Sequence, residues 1–307
     1  GKVDLGDFQR NPETEVVAVC DVFETNLKSA LTMAPKAKPF KDYRRVLESR
    51  DVDAVIVATP DHWHALITID ACNAAKDVYV EKPVSRTIRE GRLMVEAARR
   101  NKRVVQAGIQ QRAGSHFQRA IRAVHEGRIG DVYLAQVWNH GSRPPSAAMP
   151  QTQDNKVPEG LDWDFWLGPA RFSPFSPARR RFNDWWDTGG GMMTNWGTHT
   201  IDVIHWGMKA TAPRSIFALG GNYHGKDGVD APDTIEVTYE YPGFLLHCSV
   251  IAHNSYGNNG DPGRKSFGSY GMQFHGTKGT MFVDRAGYKI IPQMKANTEK
   301  VFQRSRE

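Results

Sequence analysis

Three polar side chains in the second half of the chain recur at helical spacing. Asn195, His199 and Asp202 stand at positions i, i+4 and i+7 of the segment 189–207, where the pattern predicts a helix from Thr194 onward. Side chains at this spacing share one face of a helix, so an amide, an imidazole and a carboxylate would stand in a row. Because an imidazole titrates near neutral pH, His199 can act as a general base while Asp202 orients its ring or a substrate hydroxyl. The alternative is a buried histidine that a neighbouring carboxylate satisfies in a packing helix.

His199, Asp202 and His205 are also residue types that bind metal ions. Their spacing of i, i+3 and i+6 turns the two imidazoles about 120° apart around the helix, so they diverge from any common ion. The three cysteines lie far apart and match no zinc or disulfide pattern. We therefore expect neither a metal site nor a disulfide framework.

The first hundred residues alternate short apolar strands with helical segments. Near-continuous apolar strands are typical of a parallel sheet that is buried on both faces, and alternation with helices predicts a doubly wound α/β domain. The predicted strands are 15–20, 53–58, 77–81 and 103–107, and the predicted helices are 26–34, 43–49, 62–75 and 87–100.

The second half has long alternating strands and few helices. This pattern predicts an α+β domain with a large, mostly antiparallel open sheet. We place the boundary at Gly114, which gives a dinucleotide-binding domain over 1–113 and a second domain over 114–307. The second domain is predicted to contain a helix at 117–126 and strands at 132–138, 215–223, 234–241, 244–252, 270–275 and 280–283.

Asp21 directly follows the strand at 15–20. In a Rossmann domain, an acid at the end of the second strand holds the ribose hydroxyls of NAD, about 20 residues after a glycine-rich phosphate turn. Counting back from Asp21 reaches Gly1, so we interpret Gly1 as the last glycine of that turn and residues 2–10 as the first helix. We expect the first strand and most of the glycine-rich loop to precede the sequence given. A turn cap is the alternative role for Asp21.

The cofactor prediction favours NAD over NADP, because no arginine follows Asp21 closely enough to pair with a 2′-phosphate.

Two further loops, 58–64 and 81–83, follow predicted strands at the ligand-binding edge of such a sheet. In one of them, Pro83 stiffens the backbone at Lys82. Beside a cationic nicotinamide ring, burial and like-charge repulsion would disfavour the ammonium form of Lys82 and suit it to proton handling. The predicted cofactor-binding residues are Asp21, Thr59, Asp61, His62, Trp63, His64, Glu81, Lys82 and Gln110.

Five short motifs occur together between Val16 and Gly207. They are AVCD at 18–21, TPDHWH at 59–64, EKP at 81–83, WDFWLGPA at 163–170 and the glycine-rich stretch that leads to His199 and Asp202. In combination they resemble the Gfo/Idh/MocA family of sugar oxidoreductases. The resemblance implies a Rossmann domain, an α+β domain whose open sheet forms the interface of a homodimer or homotetramer, and NAD(P)-dependent chemistry at a hydroxyl-bearing carbon of a carbohydrate.

The resemblance also implies that Lys82 and His199 are the catalytic residues. Many members have an aspartate four residues before the histidine, where this chain has Asn195. An amide cannot take up a proton, so proton handling would fall to Lys82 and His199. The chain also stops at Glu307, before the C-terminal helical segment that is usual in the family. The predicted substrate-binding residues are Lys82, Trp163, Asn195, His199 and Asp202, with Trp166, Trp185, Trp186 and Trp196 as further faces for stacking on a sugar.

The preferred function is hydride transfer between a sugar or cyclitol carbon and nicotinamide. A second hypothesis is an NAD-dependent glycosidase or lyase, in which a transient ketone permits elimination and the hydride then returns. A third is a non-catalytic NAD-binding regulatory protein, which the presence of both Lys82 and His199 argues against.

Composition excludes two classes of partner. The chain has 307 residues, of which 40% are hydrophobic and 24% charged. It contains no apolar run of about 18 residues, so we expect no membrane-spanning helix. The net charge of +6 comes from scattered basic residues, so we expect no nucleic-acid partner. The cellular location stays open between cytoplasm and periplasm.

Overall fold

The computed structural model describes residues 1–141, 155–224, 228–253 and 270–293. Its residues group into two compact units, each built from three segments of chain. The first unit contains 1–109, 145–198 and 225–232, and the second contains 110–144, 199–224 and 233–307. Segments beyond residue 144 therefore pack with the first hundred residues, whereas the boundary at Gly114 divides the chain only once and stays a prediction.

The helices and strands alternate in the first part of the chain, and strands dominate the last part. In chain order, the elements are α1 (Lys2–Gln9), β1 (Ala18–Cys20), α2 (Glu24–Met33), β2 (Lys38–Phe40), α3 (Tyr43–Leu47), β3 (Ala54–Val57), α4 (Asp61–Asn73), β4 (Asp77–Val80), α5 (Ile88–Arg100), β5 (Val105–Ala107), α6 (Ser115–His125), β6 (Val132–His140), α7 (Trp163–Leu167), α8 (Gly191–Asn195), α9 (Gly197–Met208), β7 (Ser215–Gly221), β8 (Thr234–Tyr241), β9 (Phe244–Ile251), β10 (Tyr270–Gly276), β11 (Gly279–Asp284) and β12 (Gly287–Pro292).

The first unit contains the predicted Rossmann-type α/β architecture. Strands β1 and β2 form one parallel pair, and β3, β4 and β5 form a three-stranded parallel sheet. Val57, Val78 and Val80 on the sheet pack with Met94 and Ala97 of α5 in one buried cluster. Because all three strands of the larger sheet run in parallel, their carboxyl ends meet at one edge.

The second unit contains the predicted open sheet. Its seven strands lie in the order β12-β11-β10-β6-β9-β8-β7, and every neighbouring pair is antiparallel except β6 and β9. Helix α6 packs against β11 and β12, and Gly207 of α9 lies against Phe274 of β10. A methyl group at Gly207 of α9 would lie 2.9 Å from the Phe274 ring and 3.1 Å from Ile121, so glycine permits this close packing. Strand β12, which the sequence analysis missed, extends the sheet by one strand.

Within the described part of the chain, none of the helices is long and apolar enough to span a bilayer.

Candidate active site

Lys82 lies at the carboxyl edge of the three-stranded sheet, two residues after the end of β4. Its backbone N–H donates to Oε2 of Glu81 at 3.1 Å, and the backbone N–H of Glu81 donates to the carbonyl of Val57 at 2.9 Å. The peptide bond between Lys82 and Pro83 is cis. The two hydrogen bonds, from Lys82 to Glu81 and from Glu81 to Val57, fix the backbone from which the Lys82 side chain extends.

The Lys82 ammonium reaches Asn195 within the first unit. Nζ donates to Oδ1 of Asn195 at 2.5 Å and also lies 3.4 Å from its backbone carbonyl oxygen. Both residues were predicted at the site, but their pairing was not. Since an amide oxygen accepts hydrogen bonds and carries no net charge, Asn195 orients Nζ without neutralising it.

The predicted continuous helix from Thr194 is interrupted. Helix α8 ends at Asn195 and α9 begins at Gly197, so Asn195 and His199 belong to different helices. At the junction, the hydroxyl of Thr198 donates to the carbonyl of Thr194 at 2.6 Å. Glycine has low helix propensity, and such a hydroxyl competes with backbone hydrogen bonding, which explains the break.

Asp61 is a buried carboxylic acid at the first position of α4, only 2% exposed. Burial raises the pKa of Asp61 to about 7, against the nearby charge of Lys82, which lowers it. Within the described residues, Oδ2 is buried and accepts no hydrogen bond. Because buried polar atoms normally have partners, Oδ2 is suited to accept a hydrogen bond from the hydroxyl of a bound molecule.

His62 and His64 each bridge two backbone carbonyl groups. Nδ1 and Nε2 of His64 lie 2.7 Å from the oxygen of Pro83 and 2.8 Å from that of Thr59. The ring nitrogens of His62 lie 3.1 Å from the oxygen of Trp166 and 3.3 Å from that of Thr188. Burial lowers the pKa of both histidines, and the carbonyl contacts oppose this effect. Both nitrogens of each ring face protein oxygens, and contact of His62 and His64 with a cofactor stays a prediction.

Trp63 is a core residue rather than an open face. It is 8% exposed, and its indole N–H donates to the carbonyl of Trp166 at 3.0 Å. The rings of Tyr43 and Phe165 pack edge-on against it at 5.7 and 5.5 Å. A methyl group at Gly168 would lie within the indole, so glycine is needed there. The expected contact between Trp63 and a cofactor stays a prediction.

Trp163 is likewise a core residue, and its contact with a sugar stays a prediction. It stacks on Trp166 at 4.6 Å with an interplanar angle of 15°, and Phe175 packs edge-on at 5.2 Å. Its indole N–H donates to the carbonyl of Ser173 at 2.9 Å. Of the other predicted stacking residues, Trp186 remains half-exposed.

The remaining predicted cofactor residues lie at loop positions. Asp21 follows β1, and its Oδ1 accepts the backbone N–H of Phe23 at 2.8 Å, so it caps the turn into α2. Burial raises its pKa, which the hydrogen bond from Phe23 partly offsets. Thr59 is exposed, and burial raises the pKa of Glu81. Gln110 is exposed at the start of a short 3-10 helix.

In the second unit, His199 is 3% exposed, and its backbone carbonyl accepts from Nε2 of Gln111 at 3.0 Å. The two carboxylate oxygens of Asp202 accept from the guanidinium of Arg112 at 2.7 and 2.8 Å, and the expected contact of Asp202 with the His199 ring or a substrate hydroxyl stays a prediction. The partner that fixes the Asp202 carboxylate is therefore Arg112. Lys82 and His199 belong to different units, so their meeting at one reaction centre stays a prediction.

Sequence reasoning missed Arg112 and Gln111. Arg112 lies 90 positions before Asp202, and no periodic pattern links the two. Gln111 is the buried neighbour of the predicted Gln110, so only its burial distinguishes it.

The three potential metal ligands on α9 have separate surroundings. His205 lies 2.6 Å from the hydroxyl of Tyr241, while Asp202 binds Arg112. Among the residues that the structure describes, no group of three His, Cys, Asp or Glu side chains could hold a metal ion.

Comparison with known proteins agrees with this architecture. Residues 1–109 match the profile of an oxidoreductase family with an NAD-binding Rossmann fold. Residues 117–282 match the profile of the GFO/IDH/MocA C-terminal domain. The chain belongs to the Gfo/Idh/MocA family.

Relatives with sequence similarity include inositol 2-dehydrogenase of Salmonella paratyphi B, which is 31% identical over 156 residues, or 50% of this chain and 46% of that protein. The uncharacterized oxidoreductase YrbE of Bacillus subtilis is 28% identical over 146 residues, or 48% of this chain and 43% of that protein. The chain thus matches less than half the length of these curated relatives. The WlbA dehydrogenase from Bordetella pertussis, solved with NADH and UDP-GlcNAcA, has the same fold with a TM-score of 0.70. It is 22% identical, over 92% of this chain and 75% of that chain.

Two acidic residues that follow strands of the first unit fit NAD. Asp61 presents a buried oxygen that lacks a hydrogen bond among the described residues. A carboxylate has about four acceptor positions, so Asp21 retains capacity for ribose hydroxyls beyond its bond from Phe23.

Proposed function

We propose that this protein is an NAD-dependent oxidoreductase that transfers a hydride between nicotinamide and a hydroxyl-bearing carbon of a sugar or cyclitol. The observation that carries the proposal is the position of Lys82, with its backbone fixed at the edge of a parallel sheet and Nζ held by Asn195. The relatives named inositol 2-dehydrogenase and the fold shared with a dehydrogenase solved with NADH and a UDP-sugar support the substrate class.

NAD, when bound, would supply the hydride acceptor. Asp21 and Asp61 would accept hydrogen bonds from its hydroxyl groups. The further proposed contacts are Thr59, His62, Trp63, His64, Glu81, Lys82 and Gln110. NAD is proposed over NADP because no arginine closely follows Asp21.

Lys82 is the group that would exchange a proton with the substrate hydroxyl. As an ammonium it donates to Oδ1 of Asn195, and as an amine it could accept a proton from a hydroxyl. The Asn195 amide cannot take that proton, so its contribution is orientation. His199 is the second proposed proton-handling residue, and Asn195 and Asp202 remain proposed substrate contacts. Trp163 also remains a proposed substrate contact; its ring stacks on Trp166 and makes an edge contact with Phe175.

The open sheet of the second unit supports self-association. Phe217, Leu219 and Leu245 lie on the same face of β7 and β9 and are 66%, 64% and 45% exposed. Large exposed apolar groups on one face are typical of an interaction surface. A homodimer or homotetramer through this face is therefore proposed, and light scattering of a Phe217→Lys variant would reveal a smaller particle if it is correct.

The function is tested by following NADH formation with a panel of cyclitols, free sugars, nucleotide sugars and glycosides. NADH accumulation with release of a keto product would support the dehydrogenase. Release of an aglycone without net NADH would contradict it in favour of an internal redox cycle. Binding of NAD without turnover on any substrate class would instead favour a regulatory protein.

A further inference from the structure

The ring of His64 lies between two loops that both carry proposed site residues. It is 1% exposed, with Nδ1 2.7 Å from the carbonyl oxygen of Pro83 and Nε2 2.8 Å from that of Thr59. Pro83 directly follows Lys82, while Thr59 lies two residues before Asp61. One buried side chain thus contacts both loops at the sheet edge.

The contact with Pro83 acts on the backbone of Lys82. The carboxylate of Glu81 accepts from the N–H of Lys82, and the carbonyl of Pro83 faces His64, so the chain is held on both sides of the Lys82 Cα. The far end of the side chain is held by Asn195. Loss of the His64 contact would free one of the two backbone anchors and shift Nζ relative to its acceptor.

A neutral imidazole can donate to only one of the two carbonyl groups. The carbonyl oxygens of Pro83 and Thr59 lie 2.7 and 2.8 Å from the two ring nitrogens, so only one of them receives a hydrogen bond from the neutral ring. The nitrogen that carries the proton decides whether it is the loop of Pro83 or the loop of Thr59. The shorter contact is the one from Nδ1 to Pro83.

We propose that His64 is a positioning residue for Lys82, whose Nδ1–H donates to the Pro83 carbonyl and fixes the direction in which the lysine extends. This inference rests on the proposed function for its catalytic consequence. The hydrogen bond itself exists whether or not the protein oxidises sugars.

Two substitutions separate the two contacts of the ring. The amide nitrogen of asparagine can replace Nδ1 of histidine, and that of glutamine can replace Nε2. His64→Asn should retain the bond to Pro83 and keep kcat within about threefold of the parent. His64→Gln should lose it and lower kcat by about 10- to 100-fold with a smaller change in the KM for NAD, because misplacement of a reacting group by about 1 Å costs a rate factor near 10². His125→Asn, which removes a histidine contact to the Trp206 carbonyl on α9, is the control and should leave kcat unchanged.

A second readout does not depend on turnover. The rate at which an amine-reactive acetylating reagent labels Lys82, measured by peptide mass spectrometry against the other lysines, should change in His64→Gln and stay at the parent value in His64→Asn. Equal labelling of Lys82 in the two folded variants, or a change confined to His64→Asn, would overturn the inference. If the parent forms no NADH with any substrate, the proposed function fails while this comparison still decides the role of His64.

A measurement on the parent protein covers the case in which neither variant folds. Nitrogen NMR of the histidine side chains should show a proton on Nδ1 of His64 at neutral pH. An unprotonated Nδ1 would overturn the inference.

Discussion

The buried carboxyl of Asp61 should reduce the stability of the protein at neutral pH, and replacing it should reverse that effect. Asp61→Asn keeps the size of the side chain and removes its charge. Since Asp61 is 2% exposed and its Oδ2 accepts no hydrogen bond among the described residues, the nearby charge of Lys82 offsets the cost of burying the ionised form only in part. The variant should therefore be more stable than the parent at pH 8.

The magnitude follows from the pKa. Burial raises the pKa of Asp61 from 3.8 to about 7, so the folded state binds a proton that the unfolded state has already released between these values. Stability then falls as pH rises through this window. The pKa differs by roughly three units between the unfolded and folded states, at about 1.4 kcal/mol for each unit. Ionisation of Asp61 therefore lowers the free energy of unfolding of the parent by about 4 kcal/mol at pH 8 and by almost nothing below pH 4.

Urea unfolding of parent and variant between pH 4 and pH 8 measures this difference. Asp42→Asn is a control with the opposite sign, because the hydrogen bonds from Arg44 lower the pKa of Asp42. Its carboxylate stabilises the fold above the ordinary aspartate range, so Asp42→Asn should lose stability at neutral pH and recover parity as pH falls. An Asp61→Asn variant whose gain is absent at pH 8, or is larger at pH 4, would refute the reasoning.

Three further substitutions have defined outcomes. Asn195→Ala removes the acceptor of the Lys82 ammonium and should lower kcat by about tenfold, seen in steady-state NADH formation; an unchanged kcat would contradict the positioning role. Asp202→Asn weakens the bidentate pair with the half-exposed Arg112 and should lower the free energy of unfolding by about 1 kcal/mol in urea, whereas no loss would mean that the pair is fully screened. Gly207→Ala adds a methyl group 2.9 Å from an aromatic ring and should cost about 1 to 3 kcal/mol in the same assay; a stabilised variant would show that the core can accommodate it.

The strongly patterned elements of the fold were predictable from the sequence. In the apolar runs that became β3 and β4, Val57, Val78 and Val80 are buried, whereas Ala54 and Ile56 of β3 are exposed. The alternating runs that became β8 and β9 have one face on the core. Strand β2 has only three residues, two of them exposed, so its composition carries no burial signal. The break at Trp196 was missed because it depends on a hydroxyl-to-carbonyl bond that competes locally with a helix pattern.

Residue types at the candidate site were predictable, but their partners were not. Lys82 and Asn195 were singled out by type and position, and their hydrogen bond requires tertiary structure. The contacts of His64 end on backbone oxygens, which every residue has, so no sequence pattern distinguishes Pro83 as a partner. The stacking of Trp163 on Trp166 was not predictable, because an indole suited to stacking on a sugar is equally suited to stacking on another indole.

The central claim is that Lys82 handles the substrate proton in an NAD-dependent oxidation. The most direct test is a single-turnover measurement of NADH formation by the parent and by Lys82→Met on the best substrate of the panel, with NAD binding measured in parallel. The variant should bind NAD and form NADH about 10² to 10⁴ times more slowly, the usual cost of losing a general base. A variant that binds NAD and forms NADH at the parent rate would contradict the claim.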